Sequence, residues 1–389
     1  MSDALDLIRV VLGTACVDDA QARALLEDAL QSETDPLIHC AIVFGISEAL
    51  ATQRAADWAG LAFFEKVPQG LVGEIAPMRL ENLAGVRLFR MQVLDRAVDF
   101  TAPDFLGFLR LKRRLRERPP LRQSICVLPP AALRDYLTNL AAPDLIVAAR
   151  QGLSQRWPYA VAQIELTGPA RWSFALGLLL LLTMALSAPF IAETWLLPVA
   201  LALLVAPAAI RLAALSTPQR PLPPPQRPPD EELPIYSVLI PLHNEAAMVP
   251  QLFAAMWALD YPASRLDIKF VVEASSHATI AVVQARLGDP RVSLVTVPDA
   301  APRTKPKALD YALPLCKGEH VVVYDAEDIP DPDQLWKAAL RFREQPDLAC
   351  QQARLLIDNG HRGWLAALFA AEYAALFSVL LPALARWRL

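Results

Sequence analysis

The stretch Trp172 to Ile210, WSFALGLLLLLTMALSAPFIAETWLLPVALALLVAPAAI, carries a single charge, Glu193, near its middle. A hydrocarbon core of about 30 Å takes roughly 20 apolar residues per helical crossing. The stretch therefore suits two crossings, 172–192 and 194–212, joined by a tight turn. A helix pair buried in a water-soluble core would show polar faces at helical spacing, and none interrupts this run. Arg156 and Arg171 precede the first segment and Arg211, Arg220 and Arg227 follow the second, whereas the turn holds only Glu193. Positive flanks stay on the cytoplasmic side, so both ends of the hairpin are expected there, in a cell membrane that the chain crosses more than once. The hairpin also accounts for a hydrophobic share of 54%, which is high for a soluble chain.

The rest of the chain divides around this hairpin. Proline is so dense over 215–234 (LSTPQRPLPPPQRPPDEELP) that neither helix nor central strand can persist. A semi-rigid spacer is expected there. Upstream, residues 1–70 read as a helical module, with Ala22, Leu25, Leu26, Ala29 and Leu30 at helical spacing, and 71–165 as a helical or mixed second module. The N-terminus has acidic Asp3 and Asp6 where a secretory signal would be basic, so no cleaved targeting segment is expected. A net charge of −4 and a lone basic run, Lys112 to Arg118, argue against a nucleic-acid partner; the run reads as a solvated helix face. Five widely spaced cysteines indicate neither a disulfide framework nor a zinc site.

From Tyr236 the pattern changes to apolar strands alternating with helical stretches: YSVLIPL, DIKFVVE, RVSLVTV and EHVVVYDAED, each followed by a helical stretch. This is the signature of βα units on a mostly parallel, Rossmann-like sheet. Ligands of such sheets gather at the strands' carboxyl ends. That rule selects His243, Asn244 and Glu245; Glu273, Ala274, Ser275 and Ser276; Arg303, Thr304, Lys305 and Lys307; and Asp325, Glu327 and Asp328. Acidic and basic groups thus converge on one edge, as a divalent cation and a diphosphate would require. Carboxylate-x-carboxylate patterns are common by chance, about four being expected at this acidic content, so the position at a strand end is what gives Asp325 and Glu327 weight. Asp331, followed by Pro332 and DQLWKAALRF, reads as a helix N-cap instead.

The motifs VLIPLHNE, VVE, TKPKALDYAL and VVVYDAEDIPDPDQL, in that order, resemble family 2 glycosyltransferases of the GT-A fold, particularly bacterial membrane-bound relatives of cellulose synthase. The resemblance implies that residues 235–389 are an incomplete catalytic domain. It places Pro241, His243 and Glu245 around a nucleotide, Glu273 at the uracil or ribose, and Lys305 and Lys307 by the phosphates. Asp325 and Glu327 correspond to the Asp-x-Asp metal motif, and Asp325 also to the donor site, with Mg2+ or Mn2+ as cofactor. CQQARL, Cys350 to Leu355, resembles the strand that lines the acceptor side. The implied reaction is inverting transfer from a nucleotide sugar, UDP-linked by expectation, to a polysaccharide or glycolipid at the cytoplasmic face. The family's Thr-Glu-Asp base motif and Gln-x-x-Arg-Trp motif do not occur before Leu389, so a C-terminally truncated chain that binds donor without turnover is expected.

Two further expectations concern the ends. GWLAALFAAEYAALFSVLLPALARWRL is apolar all round yet holds Glu372, which suits an interfacial helix over 364–387. ISEALATQRAADWAGLAFFEKVP is similar to the N-terminal domain of type II secretion ATPases, where helices precede a short strand; the Arg-Leu-Gly motif with which some members bind a cyclic dinucleotide is missing. Residues 1–165 therefore read as a protein-contact module, and a non-catalytic membrane adaptor with a secretion or signalling partner is the alternative function.

Overall fold

The computed structural model describes residues 2–16, 18–68, 80–93, 96–158, 168–187, 196–217 and 225–387. It divides into two compact units, Met1–Ala160 with Arg227–Glu344, and Val161–Gln226 with Gln345–Leu389. The centre of the expected spacer (218–224), the turn of the apolar hairpin (188–195) and the start of the second expected module (71–79) lie outside the described residues.

The first unit begins with four helices, α1 (Ser2–Leu12), α2 (Asp19–Gln31), α3 (Pro36–Phe44) and α4 (Glu48–Ala59). Their boundaries are written in local chemistry. The Asp18, Asp35 and Ser47 side chains accept hydrogen bonds from the first-turn amides of α2, α3 and α4. Gly45 and Gly60 end α3 and α4 in the left-handed region, at φ 63° and 69°. Leu7, Ile8, Val11, Cys40 and Ala55 form the core between them. There follow β1 (Ala62–Phe63), β2 (Leu88–Val93), β3 (Arg96–Thr101), α5 (Phe105–Glu117), β4 (Ile125–Val127) and α6 (Pro130–Arg156). The strands form a sheet of order β1-β4-β3-β2, antiparallel only between β2 and β3. These strands hold two to six residues each, too few to show alternation beside strong helical patterns. The basic run lies on α5, where Phe105, Phe108 and Leu115 are buried while Arg113 and Arg114 face solvent.

Helices α7 (Gly168–Ser187) and α8 (Leu196–Leu215) belong to the second unit and cover the two halves of the apolar stretch. The alternating region then gives β5 (Tyr236–Leu242), α9 (Val249–Trp257), β6 (Leu266–Glu273), α10 (His277–Gln284), β7 (Val292–Val297), α11 (Lys305–Ala312), β8 (His320–Val323) and α12 (Gln334–Glu344). All pairings are parallel, in the order β7-β6-β5-β8. The expected α/β sheet is present.

Period two assigns its faces. Val238, Ile240, Ile268, Phe270 and Val272 pack on one side with Val249, Leu252 and Met256 of α9 and Leu335 and Trp336 of α12. Leu239, Val271, Val295 and Val297 pack on the other with Ala308, Tyr311 and Ala312 of α11, and also with Ala141, Leu145 and Ile146 of α6. A sheet buried on both faces needs helical cover on both. Here part of that cover comes from the N-terminal region, so residues on either side of the apolar stretch share one core. Arg265 adds a second joint: its side chain, 11% exposed, donates to the Leu233 and Ser32 carbonyls at 2.6 and 3.0 Å and lies 3.5 Å from Glu33.

At the strands' N-terminal edge the same face turns polar. Ser237 donates to Asp267 at 2.7 Å, and Lys269 pairs with Asp267 at 2.8 Å, both charges being almost fully buried. The Lys317 and Gly318 amides donate to Asp267 and Ser237 at 3.0 and 2.9 Å. Gly318 is required here: a Cβ would stand 2.4 Å from the Ser237 nitrogen and 2.8 Å from the Ile235 carbonyl oxygen.

Two local expectations are corrected. Helix α12 starts at Gln334, so Asp331 is not its cap; Asp333 fills that place, its carbonyl accepting from the Lys337 amide at 3.2 Å. The Pro332 carbonyl is drawn off by the Asp260 amide at 2.8 Å, which holds the preceding residues in a turn. Cys350 to Leu355 forms no strand; the segment is irregular and mostly exposed. In the second unit Trp364–Trp387 is one helical stretch with a π turn at Leu376–Leu380, α13, and among the described residues it is the helix long and apolar enough by composition to cross a membrane.

Candidate functional site

Because β5 to β8 are parallel, their carboxyl ends open on one edge. The strand order reverses between β5 and β8, and open sheets of this kind bind ligands in the crevice at such a reversal. Two loops meet there, His243–Glu245 after β5 and Tyr324–Asp328 after β8.

Half-buried Pro241 lies near the end of β5. The turn after it is held internally. Asn244 sits in the left-handed region at φ 59°, which a short amide side chain tolerates better than most. Its amide donates to the buried Ser276 hydroxyl at 3.3 Å, tying the β5 loop to the β6 loop. The His243 amide donates to the Glu245 carboxylate at 3.1 Å, leaving the His243 side chain exposed. After β8, the Asp325 amide donates to the Asp328 carboxylate at 2.8 Å. Asp328 thus shapes its own turn, while the carboxylates of Asp325, 49% exposed, and Glu327 remain at the surface.

Lys305 opens α11, where the helix dipole disfavours a cation. Its ammonium is instead compensated by a direct ion pair with Asp325. Lys307, two residues on and on the opposite side of the same turn, is buried and pairs with buried Glu273 at 2.9 Å, also donating to the Ala300 carbonyl at 2.8 Å. The expected site residues therefore form two layers. Glu273 and Lys307 satisfy each other below the surface, whereas His243, Glu245, Lys305, Asp325 and Glu327 remain accessible. Arg303 is taken up by Asp299 at 2.7 Å. Ser276 lies in the strand-end segment that the sequence selects, whereas the Ala300 carbonyl was not singled out, since a backbone oxygen gives no signal in the sequence.

Among the described residues no three of His, Cys, Asp and Glu stand together as a ready cation cage. Mg2+ and Mn2+ need less: one or two carboxylates, with phosphate oxygens and water completing the shell. Asp325 and Glu327 are hard oxygen donors with open faces, and the Lys305 ammonium on Asp325 marks where positive charge is accommodated. The donor set fits such an ion.

Residues 234–378 match the family model described as Glycosyltransferase like family 2. The match takes in every residue of this edge and the whole parallel sheet. The Bacillus subtilis protein named "Probable glycosyltransferase YdaM" is 37% identical over 103 residues, which are 26% of this chain and 24% of that relative. The chain thus spans about a quarter of the length of that relative. Two solved structures overlap in part. A mannosyltransferase from Pyrobaculum calidifontis, in complex with GDP-Man and Mn2+, is 26% identical, with 41% of this chain and 46% of that one covered at a TM-score of 0.33. TarS 1–349 from S. aureus, in complex with UDP-GlcNAc, is 19% identical, with 31% and 37% covered at a TM-score of 0.26.

Proposed function

We propose that this chain is a membrane-bound inverting glycosyltransferase that uses a nucleotide-sugar donor, expected to be UDP-linked, for a polysaccharide or glycolipid acceptor at the cytoplasmic face. The observation that carries the proposal is the pairing of Asp325 and Lys305 at the strand-order reversal, inside the region that matches the family model. Asp325 and Glu327 would hold Mg2+ or Mn2+, which when bound offsets the charge of a departing diphosphate. Lys305 adds a mobile cation beside the same oxygens. The β5 loop, braced by Ser276, would carry His243 and Glu245 against the nucleotide, and Glu273 with Lys307 would form its floor. The acceptor hydroxyl needs a base, and no residue is assigned that role.

Membrane attachment is part of the proposal. Leu176 and Leu178 to Leu182 on α7 are between 54% and 66% exposed, a contiguous apolar surface of a kind that water-soluble proteins seldom leave bare. Helices α7, α8 and α13 are assigned to lipid contact, with the N-terminal region and the α/β sheet on the cytoplasmic side.

The test is a donor panel. Full-length protein in detergent, given UDP- and GDP-sugars with Mn2+, should bind one class at least ten times more tightly than the free sugar phosphates. Equal, weak binding of all of them would end the proposal. A detachable adaptor is disfavoured by the core that α6 shares with the sheet.

A further inference from the structure

Helix α6 lies outside the glycosyltransferase-like region, yet it packs directly on α11. Its 27 residues contain Pro143, which cannot donate to the helical ladder and separates two halves with different duties. Before it, Leu133 and Leu137 are buried among Phe89, Met91 and Phe100 of the small N-terminal sheet. Around and after it, Ala141, Leu145 and Ile146 are buried among Ala308, Tyr311 and Ala312 of α11 and Val271 and Val295 of the parallel sheet. Leu145 is only 1% exposed.

Helix α11 has eight residues, and its first turn carries both lysines of the candidate site. Lys307 fixes that turn to Glu273 and the Ala300 carbonyl. Lys305 reaches Asp325 from the same turn. One face of α11 rests on the sheet, and its position along that face is set by what presses from the other side. So short a helix has little stability of its own, and its place depends on this packing.

We infer that Leu145 and Ala141 of α6 are positioning residues for the donor site, acting through α11 on Lys305 and Lys307. The inference rests on the donor-site proposal for its functional consequence, whereas the α6–α11 coupling stands on the packing alone. The N-terminal region is then a structural part of the donor site.

The experiment compares two equal truncations on one helix, Leu145→Ala against α11 and Leu137→Ala against the N-terminal sheet, in full-length protein with UDP and GDP as probes in the presence of Mn2+. Leu145→Ala should weaken binding of whichever nucleotide the wild type prefers by roughly tenfold, since small displacements of positioned groups are costly. Leu137→Ala should leave it within about twofold, and Leu145→Met, which keeps the volume, should restore it. Hydrogen exchange supplies a readout that needs no ligand: amides of 308–312 should exchange faster in Leu145→Ala than in Leu137→Ala, with β5 and β6 protected alike. If the wild type binds neither nucleotide, the donor-site proposal fails and hydrogen exchange still decides the coupling. Equal effects of the two truncations on exchange, or unchanged exchange in both, would overturn the inference.

Discussion

At the scale of single residues, the lysines of α11 divide the work between surface and floor. Lys305 pairs with Asp325, so it competes with a metal ion for that carboxylate. Lys305→Met should therefore raise the affinity for Mn2+ alone, measured by electron paramagnetic resonance of free Mn2+, and lower the affinity for UDP with Mn2+ by about tenfold. Asp267 permits a prediction of pH dependence. Burial raises its carboxyl, but the nearby Lys269 and Lys317 charges and the hydrogen bonds from Lys269 and Ser237 prevail and hold it below the usual range. A carboxyl depressed in the folded state adds stability above its unfolded pKa, about 3.9, and that contribution is lost as pH falls through the folded value. The difference in stability between wild type and Asp267→Asn should thus be constant near neutrality and shrink below about pH 4 in urea titrations. Removing one partner of this buried pair costs about 3 to 5 kcal/mol. The Asp267→Leu/Lys269→Met double variant should recover part of that loss, because Lys269 is removed with its partner while Lys317 and the Ser237 hydroxyl still lose Asp267.

At the scale of elements, the structure turns on close approach and short strands. A methyl group on Gly318 would collide with backbone on both sides, and backbone cannot step aside as a side chain can. Gly318→Ala should cost more than about 4 kcal/mol by chemical denaturation, in the exceptional range for one substitution, whereas Gly288→Ala, with open space around it, should be nearly silent. The apolar strands of the parallel sheet were legible in the sequence as runs of Val, Ile, Leu and Phe; β5 and β6 are buried at nearly every position, whereas β8 at the sheet edge is four residues long and only partly covered. Strand ends also select the candidate edge, through His243, Asp325 and Glu327, whereas Lys305 lies eight residues past the end of β7, at the start of α11. The small sheet of β1 to β4 was not, since β1 pairs through two residues only. The start of α12 was misplaced because a tertiary hydrogen bond to Pro332 outweighed the local Asp-Pro signal. That Glu273 and Lys307 satisfy each other could not be read at all; nothing local links residues 34 apart.

For the molecule as a whole, the sequence suggests modules in series and the structure shows residues 1–160 and 227–344 as one unit. The cause is the second face of the parallel sheet, whose cover is completed by α6. Thermal unfolding of the water-exposed parts should accordingly be one transition followed equally at Trp58 and Trp257, with no separate loss of the N-terminal region; two resolved transitions would contradict the shared core. The central claim is that the edge between β5 and β8 holds a diphosphate through a divalent cation. Its most direct measurement is titration calorimetry of UDP and GDP into the full-length protein, with and without Mn2+, beside the Asp325→Ala/Glu327→Ala variant. The account predicts binding of one nucleotide that requires Mn2+ and disappears in the double variant. Binding that is indifferent to both the metal and the two carboxylates would contradict it.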